Sequence, residues 1–198
     1  RWAWQASADA EMQDVSVQPC EASASILESA TNYLAAHGHK NPAWAGIGIA
    51  TAITGDEVRL TNSAWRFSIA AFQEAMALER CLVINDFTAL ALSLPALKTS
   101  DLRPLGGGAA VAGATIALLG PGTGLGVSGL VPDTTGRYSA LSGEGGHVTL
   151  SASDDTEARL LSILRKTFEH VSAERVLSGS GLVNMYQAVC VLEDVPAL

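Results

Sequence analysis

Strands and helices alternate in the first half of this sequence, and the alternation constrains the fold more than any other feature. The apolar segments AWAGIGIA (43–50) and CLVIN (81–85) have the length and composition of buried strands. After a turn at 54–56, EVRLTN (57–62) predicts another strand. The predicted helices cover 25–37, 69–79 and 87–94. The first of them is bounded by Ser25 and Glu28, which are spaced as a capping box, and by Gly38 as the stop. Buried strands mixed with amphipathic helices indicate an α/β protein.

A segment rich in glycine and proline interrupts this pattern. Pro104 and the run Gly106-Gly107-Gly108 suit a hinge or a connection between domains. We therefore expect two domains joined by this segment. The expected parts are a small α/β domain over 1–97, a hinge over 98–113 and part of a larger α/β domain over 114–198.

After this segment the predicted strands are short and separated by turns. ATIALLG (114–120), LGVSGLV (125–131) and GRYSAL (136–141) alternate with the turns GPGTG and PDTTG. This spacing predicts a meander of hairpins. Helices are expected over about 155–169, briefly over 173–177 behind Ser172, and from about 181 to 191.

The composition excludes several classes of protein. The chain has 198 residues, a formal net charge of −8 and a pI near 4.9, so it lacks the excess of Lys and Arg that nucleic acid binding needs. No apolar run approaches the ~20 residues that span a bilayer, and the N-terminus does not have the build of a signal peptide. We therefore expect a cytoplasmic protein with no nucleic acid partner and no membrane contact.

Cysteine and histidine usage gives no indication of a metal site. Cys20, Cys81 and Cys190 are far apart, and no CxxC pair occurs. They are interpreted as reduced packing residues. The pair in His37-Gly38-His39 follows a predicted helix, and a solvated loop is favoured there over a zinc site. No metal ligands are predicted.

Asn85 and Asp86 stand where an apolar strand stops and a helix begins. Asp is a favoured N-cap residue, so a structural role for Asp86 is physically sound. Asp86 also lies at the C-terminal end of a strand, where α/β sheets build their clefts. A carboxylate in such a cleft can remove the proton from a hydroxyl whose oxygen attacks phosphorus. The two roles are compatible.

Two further segments carry candidate binding side chains. SGEGGH (142–147) presents Glu144 and His147 with no side-chain bulk between them. Glu174 falls in the first turn of a short predicted helix behind Ser172, where a carboxylate also complements the helix dipole. Carboxylates, an Asn amide and a neutral imidazole can together satisfy the hydroxyls of a sugar. The set therefore favours sugar binding.

The loop GPGTGLG (120–126) joins two predicted strands. Its glycines allow positive φ angles and let backbone N–H groups approach an anionic phosphate, but a hairpin without a ligand uses glycine for the same steric reason. A Walker A loop is excluded because no GK[ST] occurs. Gly124, Gly126 and Gly129 match G-x-G-x-x-G, but a strand follows where a dinucleotide fold requires a helix.

Five segments of the chain resemble the bacterial glucokinases of the hexokinase and actin-like superfamily. They are ITGDEVRLTNSAWRFS (53–68), INDFTA (84–89), GPGTGLG (120–126), LSGEGGH (141–147) and HVSAERVLSGSGLVN (170–184). They occur in the family's order and at family-like distances. The resemblance implies the two-domain α/β sugar kinase fold of the actin-like (ribonuclease H-like) type, with sugar held between the domains and ATP largely against the larger one.

The same resemblance implies a function and a role for each candidate residue. It implies a glucokinase that transfers the γ-phosphoryl group of ATP, with Mg²⁺, to the 6-hydroxyl of glucose. Asp86 matches the general base. The implied sugar ligands are Asn85, Asp86, Glu144, His147 and Glu174, and the implied phosphate loop contains Gly122, Thr123 and Gly124. Family resemblance also suggests a homodimer.

The chain departs from the family pattern at both ends. The family's D-x-G-G-T loop is absent, RWAW is interpreted as the remains of a second strand, and the C-terminal helices are absent. We therefore expect a fold that is incomplete at both ends, and little or no kinase activity in the 198-residue chain alone. The cysteine-rich zinc motif of related repressors and kinases is also absent, which favours the plain glucokinase branch. The alternatives are a non-catalytic sugar-binding or regulatory relative, and a kinase for another hexose.

Overall fold

The computed structural model describes residues 1–40, 42–61 and 63–197. The chain divides into two compact units, Arg1–Asp86 and Phe87–Leu198. The segment 98–113 contains the short 3₁₀ helix Thr99–Asp101 and otherwise no helix or strand. The division into domains joined by a hinge over 98–113 stays a prediction.

The first unit contains three pairs of strands. Its elements are β1 (Trp2–Trp4), β2 (Gln13–Ser16), a 3₁₀ helix (Cys20–Ala22), α1 (Ile26–His37), β3 (Trp44–Ile49), β4 (Glu57–Arg59), β5 (Arg66–Ser68), α2 (Ile69–Ala75) and β6 (Arg80–Asn85). β1 pairs with β2 and β4 with β5, both antiparallel, whereas β3 and β6 are parallel. The predicted strand at RWAW is confirmed as β1, and EVRLTN forms only the three residues of β4, with Asn62 outside the described residues.

The predicted signals at both ends of α1 are confirmed. The hydroxyl oxygen of Ser25 accepts a hydrogen bond from the backbone N–H of Glu28 at 3.1 Å, and the Glu28 carboxylate accepts from the N–H of Ala24 at 2.6 Å. These bonds satisfy amides in and just before the first turn that have no partner within the helix. Gly38 ends the helix with a φ of 69°, a left-handed conformation that glycine adopts without steric cost.

The prediction that α2 extends to residue 79 is wrong, because the helix ends at Ala75. Ala77 has a φ of 51°, and the N–H of Leu78 returns to the carbonyl of Gln73 at 2.9 Å. This turn buries Leu78 in the core and directs the chain into β6. A non-glycine residue at positive φ carries no sequence signal that would have ended the helix there.

The parallel pair β3 and β6 positions the first candidate residues. The two strands run in register from Trp44 opposite Arg80 to Ile49 opposite Asn85. Ile49 and Val83 are buried with Val58 in one core cluster of this unit. Asn85 therefore lies at the carboxyl end of a strand whose position is fixed by packing on its apolar face.

The second unit contains the predicted meander, followed by two helices. Its elements are α3 (Asp86–Ser93), which starts at the last residue of the first unit, a 3₁₀ helix (Leu94–Ala96), β7 (Ile116–Pro121), β8 (Leu125–Pro132), β9 (Tyr138–Leu141), a 3₁₀ helix (Gly145–His147), α4 (Asp155–Leu164), a 3₁₀ helix (Ala173–Arg175) and α5 (Gly179–Leu192). The order β7-β8-β9 is antiparallel throughout, which confirms the meander. The core lies between α4 and α5, where Leu160, Leu164 and Ala188 are buried.

The predicted helix over 155–169 is five residues too long, because α4 ends at Leu164. Lys166 and Thr167 bond back over three residues instead of four, so the chain leaves the α-helix in tight turns. This brings Val171 into the core between the helices. Among the described residues no helix is long and apolar enough to cross a membrane.

Candidate functional site

Asn85 and Asp86 lie where β6 passes directly into α3. The amide nitrogen of Asn85 donates to the carbonyl oxygen of Thr51 at 3.5 Å, a long bond that joins the ends of two chain segments. Asp86 is the first residue of α3 and is half-buried. The residue before a helix holds the N-cap position, so that position belongs to Asn85, and the carboxylate of Asp86 lies in the first turn. A carboxylate there is favoured by the helix dipole.

The glycine loop connects β7 and β8 and rests on the start of α5. Gly120 pairs with Gly126 and Pro121 with Leu125, which leaves residues 122–124 as the turn. The carbonyl oxygen of Gly122 accepts a hydrogen bond from the N–H of Gly179, the first residue of α5, at 2.8 Å. The loop is therefore a hairpin whose tip lies beside the N-terminus of a 14-residue helix.

Positive φ angles do not explain the glycines of this loop. None of the glycines in 120–126 has a positive φ. A Cβ on Gly120 would lie 2.6 Å from the ring of Phe87, and a Cβ on Gly126 would also collide with that ring. A Cβ on Gly124 would collide with the carboxylate of Glu174. The absence of side chains, and not backbone freedom, explains glycine at these positions.

The side chain of Glu174 accepts a hydrogen bond from the glycine loop. Its Oε2 accepts a hydrogen bond from the backbone N–H of Leu125 at 2.9 Å, across 49 residues of sequence. The helix predicted over 173–177 is the 3₁₀ helix Ala173–Arg175, and the hydroxyl of Ser172 makes no capping bond to it. The side chain of Glu174 is half-buried, which is consistent with a defined position.

Glu144 and His147 lie on a loop that packs against β8. The His147 Nε2 is 4.0 Å from a carboxylate oxygen of Glu144, and the two side chains are 61% and 62% exposed. Below them Gly145 faces the side chain of Val127, and Gly146 contacts the carbonyl group of Leu125. The glycines thus bring the loop against the strand while both polar side chains remain accessible.

Leu125, in the glycine loop, contacts both Glu174 and the 142–147 loop. Its N–H donates to Glu174, and its carbonyl group lies against Gly146. Bonds between 148–150 and 171–173 hold the two segments side by side, with Ala173 N–H to Val148 O and Leu150 N–H to Val171 O both at 3.0 Å. The structure therefore brings together Glu174, the 142–147 loop and the glycine loop within the second unit.

Asn85 and Asp86 belong to the first unit, so a single site that contains all the predicted residues stays a prediction. Two contributors were missed by sequence reasoning. Phe87 supports both Gly120 and Gly126, and Leu125 provides the shared backbone. The only sequence signal for Phe87 is its position directly after Asp86.

The described residues contain no group of three or more His, Cys, Asp or Glu side chains that could hold a metal ion. The tip of the glycine loop is more suitable for binding an anion than a metal cation. Gly122 and Thr123 are exposed and lie next to the N-terminus of α5, where the helix dipole favours negative charge. This arrangement fits a phosphate group better than it fits a metal ion.

The chain is similar in sequence to curated proteins. The chain is 56% identical over 167 residues to a glucokinase from Paramagnetospirillum magneticum, a match that covers 84% of this chain and 52% of the relative. It is 50% identical over 180 residues to a glucokinase from Aromatoleum aromaticum, covering 90% of this chain and 54% of the relative. The chain thus spans about half the length of the curated relatives that it matches.

The fold of the chain is also similar to that of a solved structure. A crystal structure of a glucokinase from an Antarctic psychrotroph matches with a TM-score of 0.84 and 36% identity, over 91% of this chain and 56% of that one. The predicted α/β fold of the actin-like sugar kinases is therefore confirmed. A family model described as Glucokinase matches residues 2–197. The chain belongs to the glucokinase family.

Proposed function

We propose that the protein containing this chain is a glucokinase, which transfers the γ-phosphoryl group of ATP to the 6-hydroxyl of glucose. The observation that carries the proposal is the approach of Glu174, the 142–147 loop and the glycine loop to one residue, Leu125. A sugar-binding group and a phosphate-binding loop must be neighbours if a phosphoryl group is to pass to the sugar. The family match does not favour a non-catalytic relative.

The sugar is proposed to bind through five polar side chains. A carboxylate can accept hydrogen bonds from two adjacent hydroxyls, and the imidazole and the amide can each donate as well as accept. The exposure of Glu144 and His147 leaves both available to a ligand. The proposed ligands of the glucose hydroxyls are Asn85, Asp86, Glu144, His147 and Glu174.

Asp86 is proposed to act as the general base. Its carboxylate takes the proton of the glucose 6-hydroxyl as that oxygen bonds to the γ-phosphorus of ATP, and the bond from the γ-phosphorus to the bridging oxygen breaks to release ADP. The products are glucose 6-phosphate and ADP. The first turn of α3 holds Asp86 in place, so the role in catalysis and the role at the helix N-terminus are compatible.

The ATP phosphates are proposed to bind at Gly122, Thr123 and Gly124. The small side chains leave the backbone accessible, and the N-terminus of α5 supplies a favourable dipole. Mg²⁺ commonly binds through substrate phosphates with few protein ligands, and when bound it neutralises phosphate charge. No described residue is assigned to that ion.

The base is tested by Asp86→Asn in a complete enzyme that contains these residues. The expected result is a loss of turnover of about 10²- to 10⁴-fold, because a positioned base contributes about that much. Glucose affinity should stay within a few-fold, because the Asn side chain keeps an acceptor oxygen. Turnover comes from a coupled assay with glucose and ATP, and affinity from calorimetry.

Asp155→Asn is the matched control, because Asp155 also lies in the first turn of a helix but is exposed and belongs to no proposed site. This control should leave the turnover and the glucose affinity unchanged. Near-normal turnover in Asp86→Asn would remove Asp86 from the role of base. Failure of the unsubstituted enzyme to phosphorylate glucose would overturn the function itself, and a panel of hexoses would identify another acceptor.

The oligomeric state and the location are proposed from the same family membership. We expect a homodimer, which light scattering after size exclusion would measure. A cytoplasmic enzyme is expected because its proposed substrates are cytoplasmic metabolites, and fractionation of cells would test this.

A further inference from the structure

One side chain, Glu174, connects two parts of the site that have different proposed ligands. Its Oε2 holds the N–H of Leu125, which directly follows the phosphate-loop turn 122–124. Glu174 is also a proposed ligand of the glucose hydroxyls. A hydroxyl that donates to this carboxylate therefore acts on a group that already holds the loop.

Glu174 is in steric contact with the glycine loop at Gly124, in addition to its hydrogen bond with Leu125. A Cβ at position 124 would lie 3.1 Å from the carboxyl carbon of Glu174 and closer still to Oε2. The loop and the carboxylate therefore occupy adjoining space with no room for a further atom. A movement of Glu174 toward the loop must displace the loop, because packed atoms cannot overlap, and a movement away from it stretches the hydrogen bond to Leu125.

The opposite side of the loop is held by the same stretch of chain. Gly179 donates to the carbonyl oxygen of Gly122 at 2.8 Å, and Gly181 has no room for a Cβ because the carbonyl oxygen of Glu174 would lie 2.9 Å from it. The segment 174–181 thus holds the loop at both ends of its turn. The backbone of the segment 174–181 is closely packed at Gly181, so this segment is a stiff support for the glycine loop.

We propose that Glu174 is a positioning residue for the glycine loop and that it couples sugar binding to ATP binding. This inference rests on the proposed function, which assigns the sugar to Glu174 and the phosphates to the loop. A sugar hydroxyl bound to Glu174 fixes the carboxylate and with it Leu125 and Gly124. By linkage, each ligand then raises the affinity for the other by the same factor.

The first test separates the two roles of Glu174 by substitution in a complete enzyme. Glu174→Gln keeps an oxygen that can accept from Leu125, whereas Glu174→Ala removes it. We expect both variants to weaken glucose binding, and only Glu174→Ala to weaken ATP binding, by about 10-fold. Equal ATP affinity in the two variants would overturn the positioning role, and thermal unfolding curves identify a variant that has lost its fold.

The second test substitutes a residue of the loop and leaves every proposed sugar ligand unsubstituted. Gly124→Ala should displace Glu174 and weaken glucose binding about 5-fold or more, and it should reduce the factor by which ATP raises glucose affinity. Gly143→Ala is the matched control, because it lies beside Glu144 but a Cβ there meets nothing within 4 Å. An unchanged glucose affinity in Gly124→Ala would overturn the coupling.

The amide of Leu125 provides a readout that a purely structural role would not change. In enzyme labelled with ¹⁵N-leucine, addition of glucose alone should shift the Leu125 N–H signal, and Glu174→Ala should abolish the shift. If glucose binds but this signal does not respond, the coupling is wrong and the proposed function stands. If glucose does not bind at all, both are wrong.

Discussion

The glycine segments 106–108 and 120–126 use the same residue for different physical reasons. In 106–108 no glycine would bring a Cβ within 4 Å of another group, and two of the three have φ values of 71° and 94°. In 120–126 no glycine has a positive φ, but three of the four are in close contact with Phe87 or Glu174. Glycine is needed at two positions of 106–108 because the φ angle is positive, and at three positions of 120–126 because a Cβ has no room. Substitutions by alanine should therefore affect the two segments by different mechanisms.

The largest effect is expected for Gly126→Ala. Its Cβ would collide with three carbon atoms of the Phe87 ring, and overpacking of this kind forces shifts in the surrounding structure. We expect a loss of about 3 kcal/mol in the free energy of unfolding, at the upper end of the usual range for overpacking. Urea denaturation followed by circular dichroism measures it.

Phe87→Leu supplies the control for this interpretation. If the ring is the cause, the combined variant Gly126→Ala with Phe87→Leu should lose less than the sum of the two single losses, because the smaller side chain can move away. A loss below about 0.5 kcal/mol in Gly126→Ala would place it among ordinary surface substitutions and contradict the packing argument.

A smaller effect is expected in the open segment. Gly106→Ala must place a side chain at a φ of 71°, which costs about 1 kcal/mol, although no atom is in the way. Gly108→Ala has neither a positive φ nor a neighbour, so it should be neutral or stabilise by about 0.5 kcal/mol through the unfolded state. The same denaturation experiment ranks the two variants, and the reverse order would show that φ does not determine the cost.

This comparison also explains how much of the molecule could be predicted. Local signals identified α1, because Ser25 and Gly38 act on amides and carbonyls a few residues away. The length and apolar composition of two segments located β3 and β6. The end of α2 was missed because Ala77 adopts a positive φ that tertiary packing imposes. Local patterns therefore located α1, β3 and β6, but neither the strands β2 and β5 nor the positive φ at Ala77.

The candidate site was also predicted only in part from the sequence. Motif resemblance named Glu174 and the glycine loop, but neither the bond from Leu125 to Glu174 nor the support by Phe87 could be predicted. The first of these contacts joins residues 49 positions apart, and no periodic pattern records such a distance. The sequence related the loop glycines to positive φ angles and to the approach of a phosphate, whereas their contacts with Phe87 and Glu174 are visible only in three dimensions.

A small destabilisation is expected at a third glycine turn, which the carboxylate of Asp133 holds without close packing. Gly136 has a φ of 81° and no neighbour within 4 Å, while the Asp133 carboxylate accepts bonds from the hydroxyl and N–H of Thr135 at 2.7 and 2.8 Å and from the N–H of Arg137 at 2.9 Å. These bonds, that from the Thr135 hydroxyl foremost, lower the pKa of Asp133 below its ordinary 3.8.

Since the pKa of Asp133 is lower in the folded chain than in the unfolded one, its stabilisation is fully present above the unfolded pKa and is lost as the pH falls through the folded pKa. Asp133→Asn should therefore lower the Tm at pH 7, by about 2 °C for so exposed a turn, and the difference from the unsubstituted chain should shrink below about pH 4. Thermal unfolding at pH 7, 5 and 3 measures this. A difference that is constant over this range would mean that the turn is held by its shape and not by the carboxylate charge, which would remove the contrast with the packed loop at 120–126.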